Sequence, residues 1–214
     1  MLHIIFDFDG TLVDSSEGIL ASLCEAFRVA DIKPIRSLSS DLIGPPLRQI
    51  LLSLCDSPSD STLELLTNAF KSHYDNSGLE LTHPFPGIME MLDALNSASI
   101  PLHIATNKRH LPTKRIIENL GWSHLFNQVL SPDSFTPSLA SKAQTLAQLL
   151  SDCRFNPHQC LYIGDRLDDL LAAEKNNINF ALAEWGYDGD PALSGDSIIR
   201  FQQPEAIHHY IRGL

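Results

Sequence analysis

Hydrophobic positions recur with two different periods along the chain. A short apolar run over residues 2–6 predicts a buried strand at the start of the sequence. From Asp14 to about Leu81, apolar residues recur only at helical spacing, in three stripes over residues 19–27, 47–54 and 63–74. The pattern therefore predicts an all-helical segment inserted directly after the first strand.

A regular alternation of helix and strand follows residues 82–87, where two prolines and a glycine predict a linker. Strands are predicted at residues 100–105, 127–130, 160–163 and 178–183, with a weaker edge strand at 197–201. Helices are predicted at residues 88–95, 116–120, 139–150, 167–175 and 204–212. This alternation predicts an α/β fold with a doubly wound, Rossmann-like parallel sheet. We expect a core domain of residues 1–14 and 82–214 and a helical domain of residues 15–81.

Composition and charge narrow the class of partner. A chain of 214 residues with 43% hydrophobic content can bury a sizeable core, and its formal net charge of −11 opposes binding to nucleic acid or to anionic membranes. No basic leader and no membrane-length apolar run is present, so we expect a cytoplasmic protein with small-molecule partners. The oligomeric state is not predicted. Cys24, Cys55, Cys153 and Cys160 lack metal-ligand spacing and are expected to be reduced and mostly buried.

Two acidic residues follow the first predicted strand. Asp7 and Asp9 lie two positions apart, and Gly10 comes next. Two carboxylates in a partly dry site repel each other unless one is protonated or a cation lies between them. Mg²⁺ prefers such oxygen ligands. The alternative explanation is an Asx-type turn at Asp9 and Gly10, which needs no metal.

Two further strands also end in polar residues. One is followed by Thr106 and Asn107, which could bind a phosphate oxygen or simply cap the next helix. The other is followed by Asp165, Asp168 and Asp169, which are more acids than the start of a helix requires. The carboxyl ends of parallel strands meet at one edge of a sheet, and ligands bind there. The sequence therefore predicts a metal and phosphate site at this edge.

The same residues resemble the motifs of a known family. The string Asp7-Phe8-Asp9-Gly10-Thr11-Leu12 resembles the first motif, Asp-x-Asp-x-Thr, of the haloacid dehalogenase superfamily of phosphohydrolases. Thr106 matches the strand-terminal Thr or Ser of the second motif, and residues 164–169 resemble the fourth motif, Gly-Asp-x-x-x-Asp. The helical segment is similar to the cap domain of phosphoglycolate phosphatases, and the resemblance covers nearly the whole chain.

The resemblance implies roles for the acidic residues. Asp7 would be the nucleophile that takes the phosphoryl group, and Asp9 the general acid and base. Mg²⁺ would be held by Asp7, by Asp9 through its backbone carbonyl, by Asp165 and by Asp169. Asp168 stands where relatives often have Asn and is not assigned as a ligand.

The resemblance also implies a lysine that neutralises the phosphate. Lys142 lies between the second and fourth motifs and is the residue we assign, although Ala143 replaces the usual proline. Lys108 and Lys114 compete for this role, but both are explained by a solvated helix face. Thr106 and Asn107 would complete the phosphate-binding site with Lys142.

The implied function is a Mg²⁺-dependent phosphatase that hydrolyses a small, phosphoglycolate-like phosphomonoester through an aspartyl phosphate. One alternative is a sugar phosphomutase on the same scaffold, which would return the phosphoryl group to its substrate. The other is a non-catalytic protein that binds a phosphorylated ligand, although crowded carboxylates at two motifs argue against a site that has lost its catalytic activity.

Overall fold

A computed structural model describes residues 1–187, 191–194 and 198–213. The strands in the described residues are β1 (His3–Phe6), β2 (Val13–Asp14), β3 (His83–Pro84), β4 (Leu102–Ala105), β5 (Phe126–Leu130), β6 (Cys160–Gly164), β7 (Asn179–Ala183) and β8 (Ile199–Phe201). The helices there are α1 (Ser16–Ala30), α2 (Leu47–Leu54), α3 (Asp60–Asn76), α4 (Ile88–Ser97), α5 (His110–Asn119), α6 (Lys142–Cys153), α7 (Leu167–Lys175) and α8 (Glu205–Arg212). Ser197, the predicted start of the last strand, lies outside the described residues.

Six strands form one sheet in the order β5-β4-β1-β6-β7-β8, and every neighbouring pair is parallel. On one face, Ile5, Tyr162 and Phe180 pack in a buried cluster with Leu146 of α6 and Ala173 of α7. Ile4 and Phe6 alternate with Ile5 along β1 and are fully buried as well, so the central strand is covered on both faces. The predicted α/β fold with a doubly wound parallel sheet is confirmed.

The described chain separates into two compact units. One contains Met1–Val13 and the chain from Pro84 onward, and the other is Asp14–His83. β2 and β3 form a small two-stranded sheet. The second unit contains α1 to α3, and α3 packs against both α1 and α2.

Close helix packing in the second unit depends on two glycines. A Cβ atom on Gly18 of α1 would overlap the carbonyl group of Gly78, so the backbones approach where neither residue has a side chain. On the surface of the same unit, the exposed Arg48 of α2 lies 3.0 Å from Asp60 of α3.

The cysteines differ in burial. Cys55 and Cys160 are buried, but Cys24 is exposed, so the prediction of a buried thiol is wrong at that position. Cys24 lies on the exposed side of α1, although it falls within the span of the apolar stripe over residues 19–27. Within the described residues, no helix combines the length and hydrophobicity needed to cross a membrane.

Candidate active site

The register of the sheet brings three polar strand ends together. Phe6 of β1 lies opposite Ile104 of β4 on one side and Ile163 of β6 on the other. Since parallel strands in this register end at the same edge, the residues that follow them are neighbours. These residues are Asp7, Thr106 and Asp165, and all three are buried.

The chain turns sharply after β1. The Gly10 amide donates to the Val13 carbonyl at 2.9 Å, and the Leu12 amide donates to the Phe8 carbonyl at 2.9 Å. Gly10 has φ +83°, a conformation that residues with a side chain rarely adopt. A backbone turn over residues 8–13 therefore follows β1, and it lies beside a cluster of carboxylates.

Three buried carboxylates converge at this edge. Asp7, Asp165 and Asp169 each place a carboxylate oxygen within 4.8 Å of the others. Lys142, at the first turn of α6, is 2% exposed, and its Nζ lies 2.7 Å from Asp7 Oδ2 and 2.5 Å from Asp169 Oδ1. Three carboxylates thus face one ammonium group in a nearly dry environment.

Neighbouring groups orient the Asp165 carboxylate. The Thr11 hydroxyl donates to Asp165 Oδ1 at 3.1 Å, and the Tyr187 amide donates to Asp165 Oδ2 at 2.9 Å. The indole of Trp185 donates to the Thr11 carbonyl at 2.9 Å and so ties the segment after β7 to the turn after β1. The sequence predicted no role for Trp185 and Tyr187, because the segment after β7 carries no charge pattern that would indicate them, and Thr11 entered only as part of the first motif.

Two groups besides Lys142 fix the Asp169 carboxylate. Its Oδ2 accepts a hydrogen bond from the Arg166 amide at 3.0 Å, which closes the first turn of α7. Its Oδ1 lies 3.0 Å from the Tyr162 hydroxyl, which is also 2.9 Å from the Ala105 carbonyl. Sequence reasoning treated Tyr162 as a strand residue only. A tyrosine inside a buried apolar strand is the signal that could have indicated a polar partner nearby.

Burial and mutual repulsion shift the acid–base equilibria of the cluster. Burial, and then the charges of Asp169 and Asp7, raise the pKa of Asp165. Burial also raises the pKa of Asp169, in spite of its contact with Lys142. For Lys142, burial disfavours the ammonium form, but the Asp169 and Asp7 carboxylates outweigh it and raise the pKa. The lysine is therefore charged, while the crowded Asp165 and Asp169 carboxyls keep their protons to a higher pH than free aspartates.

The donor set fits a hard divalent cation. Asp7, Asp165 and Asp169 offer carboxylate oxygens, the ligands that Mg²⁺ takes in proteins. A cation would relieve the repulsion that raises the pKa values of Asp165 and Asp169. The Asp9 carboxylate is not in this group. The family resemblance assigns its backbone carbonyl instead.

Asp9 faces a second lysine. Lys108 Nζ lies 2.9 Å from Oδ1 and 3.2 Å from Oδ2 of Asp9, and the Lys108 side chain is 5% exposed. Lys108 precedes α5 rather than lying within it. The prediction that Lys108 belongs to a solvated helix face is therefore wrong. Helical spacing could not reveal this contact, because the residue lies in the turn between β4 and α5. Lys114, in α5, is exposed as predicted.

Thr106 and Asn107 lie at the same edge. The Thr106 hydroxyl accepts a hydrogen bond from the Lys108 amide at 3.2 Å, so this hydroxyl organises the turn after β4. The Asn107 side-chain amide donates to Asp168 Oδ2 at 3.0 Å. Asp168 is thereby directed toward Asn107, and its carboxylate lies outside the group formed by Asp7, Asp165 and Asp169.

Comparison with known proteins gives one consistent family. Residues 4–183 match the family model described as haloacid dehalogenase-like hydrolase. The tyrosine-protein kinase PtkA of Mycobacterium tuberculosis is 31% identical over 185 residues, which are 86% of this chain and 62% of that protein. This chain therefore spans less than two thirds of that relative's length.

Two other matches extend over most of both chains. A phosphoglycolate phosphatase of Aquifex aeolicus is 29% identical over 191 residues, 87% of this chain and 86% of that protein. A solved structure of a haloacid dehalogenase-like hydrolase from Streptococcus pneumoniae has a TM-score of 0.84 at 28% identity, with 99% of this chain and 98% of that chain covered. The predicted superfamily is confirmed, and the chain belongs to the family of haloacid dehalogenase-like hydrolases.

Proposed function

We propose that the protein is a Mg²⁺-dependent phosphatase that hydrolyses a small phosphomonoester through an aspartyl phosphate. The observation that carries this proposal is the position of Asp7. Its carboxylate is buried at the carboxyl end of the central strand, 2.7 Å from the Lys142 ammonium and grouped with Asp165 and Asp169. Such a site can accept a phosphoryl group and stabilise its charge.

The proposed reaction has two steps. In the first, an Asp7 oxygen forms a bond to phosphorus while the ester P–O bond breaks, and Asp9 gives a proton to the leaving oxygen. In the second, Asp9 takes a proton from water, the water oxygen bonds to phosphorus, and the bond between phosphorus and Asp7 breaks. The products are an alcohol and inorganic phosphate, and the Asp7 carboxylate is regenerated.

The other site residues would bind the phosphoryl group and the metal. Lys142 supplies positive charge at Asp7, and Thr106 and Asn107 offer a hydroxyl and an amide at the same edge. Asp7, Asp165, Asp169 and the Asp9 backbone carbonyl would hold Mg²⁺. When bound, Mg²⁺ would neutralise charge on the phosphoryl oxygens.

The choice of substrate class draws on the relatives. The Aquifex relative is named a phosphoglycolate phosphatase and the mycobacterial relative a tyrosine-protein kinase, and both names describe phosphoryl transfer. We propose a phosphoglycolate-like ester as the substrate and assign Asp14–His83 as the cap domain that selects the leaving group. A cytoplasmic location stays a prediction of the sequence.

The test is phosphate release from a panel of phosphomonoesters, with and without Mg²⁺, using Asp7→Asn as the inactive control. We expect Mg²⁺-dependent release that this substitution abolishes. Release that survives Asp7→Asn or EDTA would contradict the mechanism. Stimulation by a sugar bisphosphate with little free phosphate would favour a mutase, and binding without turnover would favour a ligand-binding protein. Transfer from ATP to a tyrosine peptide, without ester hydrolysis, would instead favour the activity named for the mycobacterial relative.

A further inference from the structure

We propose that Lys108 is a positioning residue that holds the Asp9 carboxylate in place for its proton transfers, a role that rests on the proposed phosphatase function. Lys108 makes a two-point contact with Asp9. Lys108 Nζ lies within hydrogen-bond distance of both oxygens of Asp9, at 2.9 Å and 3.2 Å. The family resemblance assigned a role to one lysine only, and Lys108 was not that residue.

The contact constrains the orientation of the Asp9 carboxylate. Asp9 lies in the tight turn over residues 8–13, and an aspartate there can adopt several rotamers. Contact with both carboxylate oxygens selects one orientation of the group. The side chains are 5% exposed for Lys108 and 12% for Asp9, so water competes weakly for either charge. Removing the ammonium would therefore remove a contact that holds both carboxylate oxygens in their observed position.

The two buried lysines contact different acids. Lys142 contacts Asp7 and Asp169, which belong to the carboxylate group at the phosphoryl-binding edge. Lys108 contacts Asp9, whose carboxylate lies outside that group. Lys142 therefore acts where phosphorus is bound, while Lys108 acts through the residue that moves protons.

The hydrolytic step uses Asp9 as a carboxylate, which is the form that the Lys108 ammonium contacts. In that step the Asp9 carboxylate accepts a proton from the attacking water, and the bond between phosphorus and Asp7 breaks. A carboxylate displaced by even an ångström loses much of its efficiency as a base. Loss of Lys108 should therefore slow breakdown of the aspartyl phosphate more than its formation.

The experiment is stopped-flow kinetics of Lys108→Met with p-nitrophenyl phosphate and Mg²⁺. Nitrophenolate leaves without protonation, so its initial burst reports formation of the aspartyl phosphate and its steady release reports hydrolysis. We expect a burst stoichiometric with enzyme and an unchanged or lower KM. The steady-state rate should fall about 10- to 100-fold, which is part of the rate enhancement that general acid–base catalysis typically supplies. Lys108→Arg, which can also contact both oxygens, should recover part of the rate.

Two controls make the result specific. Lys114→Met removes an exposed lysine from the neighbouring helix and should leave both phases unchanged. In an Asp9→Asn background, Lys108→Met should have little further effect, because the positioned group is already gone. Thermal unfolding of each variant shows whether it is folded. If Lys108→Met does not fold, the burst and the steady-state rate of Lys108→Arg are compared with those of the unmodified protein instead.

The outcomes separate this inference from the proposed function. A lost burst with a raised KM in Lys108→Met would show that Lys108 binds the phosphate. An unchanged steady-state rate would show that Asp9 transfers protons equally well without the Lys108 contact. Either result overturns the positioning role. Absence of any phosphate release from the unmodified protein with Mg²⁺ would instead contradict the proposed function itself.

Discussion

Gly10 lies directly against the carboxylate of Asp165. A Cβ atom added at Gly10 would overlap the Asp165 carboxylate, and Gly10 has φ +83°. The turn that presents Asp7 and Asp9 is thus in contact with the acid at the end of β6. Glycine at this position satisfies a backbone requirement and a space requirement at once.

Replacing Gly10 should therefore harm both stability and metal binding. Gly10→Ala combines backbone strain of about 1–2 kcal/mol with displacement of Asp165. Gly121→Ala is the matched control, because Gly121 has φ +72° but no atom within 4 Å of its would-be Cβ. Urea unfolding should show a larger loss for Gly10→Ala, and only this variant should lose stabilisation by Mg²⁺. Equal losses in the two variants would show that the close approach to Asp165 has no consequence.

Lys142 should be needed for folding as well as for turnover. Lys142→Met leaves the buried Asp7 and Asp169 carboxylates without their ammonium partner. Removing one partner of a buried ion pair lowers the free energy of unfolding by about 3–5 kcal/mol. Phosphate release should fall about 100-fold or more with every ester tested. Adding Asp169→Asn should recover part of the lost unfolding free energy, because it removes one unpaired charge. A single variant with unchanged unfolding free energy would contradict this account.

Mg²⁺ should stabilise the protein through the carboxylate group. A ligand that binds only the folded state at about 100 times its Kd raises the unfolding free energy by about 2.7 kcal/mol. The melting temperature should therefore rise with Mg²⁺ and return to its original value with EDTA. Asp165→Asn should abolish the rise, while Asp168→Asn, whose parent carboxylate lies outside the group, should retain it. The reverse pattern would show that Asp168, and not Asp165, binds the metal.

His103 should make the protein sensitive to acid. Burial, followed by the charge of His3, lowers the pKa of His103 from its ordinary value of 6.5 to about 4. Its ring lies 5.0 Å from that of Phe155 in a tilted contact, and its Nε2 is 3.3 Å from His3 Nδ1. The unfolded chain takes up a proton near pH 6.5 and the folded protein only near pH 4. The free energy of unfolding should therefore fall as pH drops through this window.

The test of this sign is thermal unfolding between pH 7 and pH 4. His103→Leu should show a smaller decrease in melting temperature over that range than the unmodified protein. His158→Gln, at an exposed position after α6, is the matched control and should follow the unmodified protein. A decrease in His103→Leu as large as that of the unmodified protein would place the acid sensitivity elsewhere.

The sequence predicted the order and type of the core elements because burial imposes periodicity. Mostly apolar runs mark β1, β4 and β6, whose side chains are buried except for the half-buried His3. The rule for parallel strand ends then placed Asp7, Thr106 and Asp165 at one edge, and the register of the sheet brings them there. Both inferences depend on local pattern and on the common direction of the strands.

Only the tertiary structure decided which side chains meet across that edge. Lys108 is buried against Asp9, the Tyr162 hydroxyl contacts Asp169, and the Tyr187 amide binds Asp165, although none of these pairs shares a pattern in the sequence. Side-chain direction in turns depends on the packing of distant segments, and hydrophobic periodicity carries no information about it. The paired acids at the start of the chain were therefore predictable from the sequence, whereas the groups that hold each of them followed only from the folded arrangement.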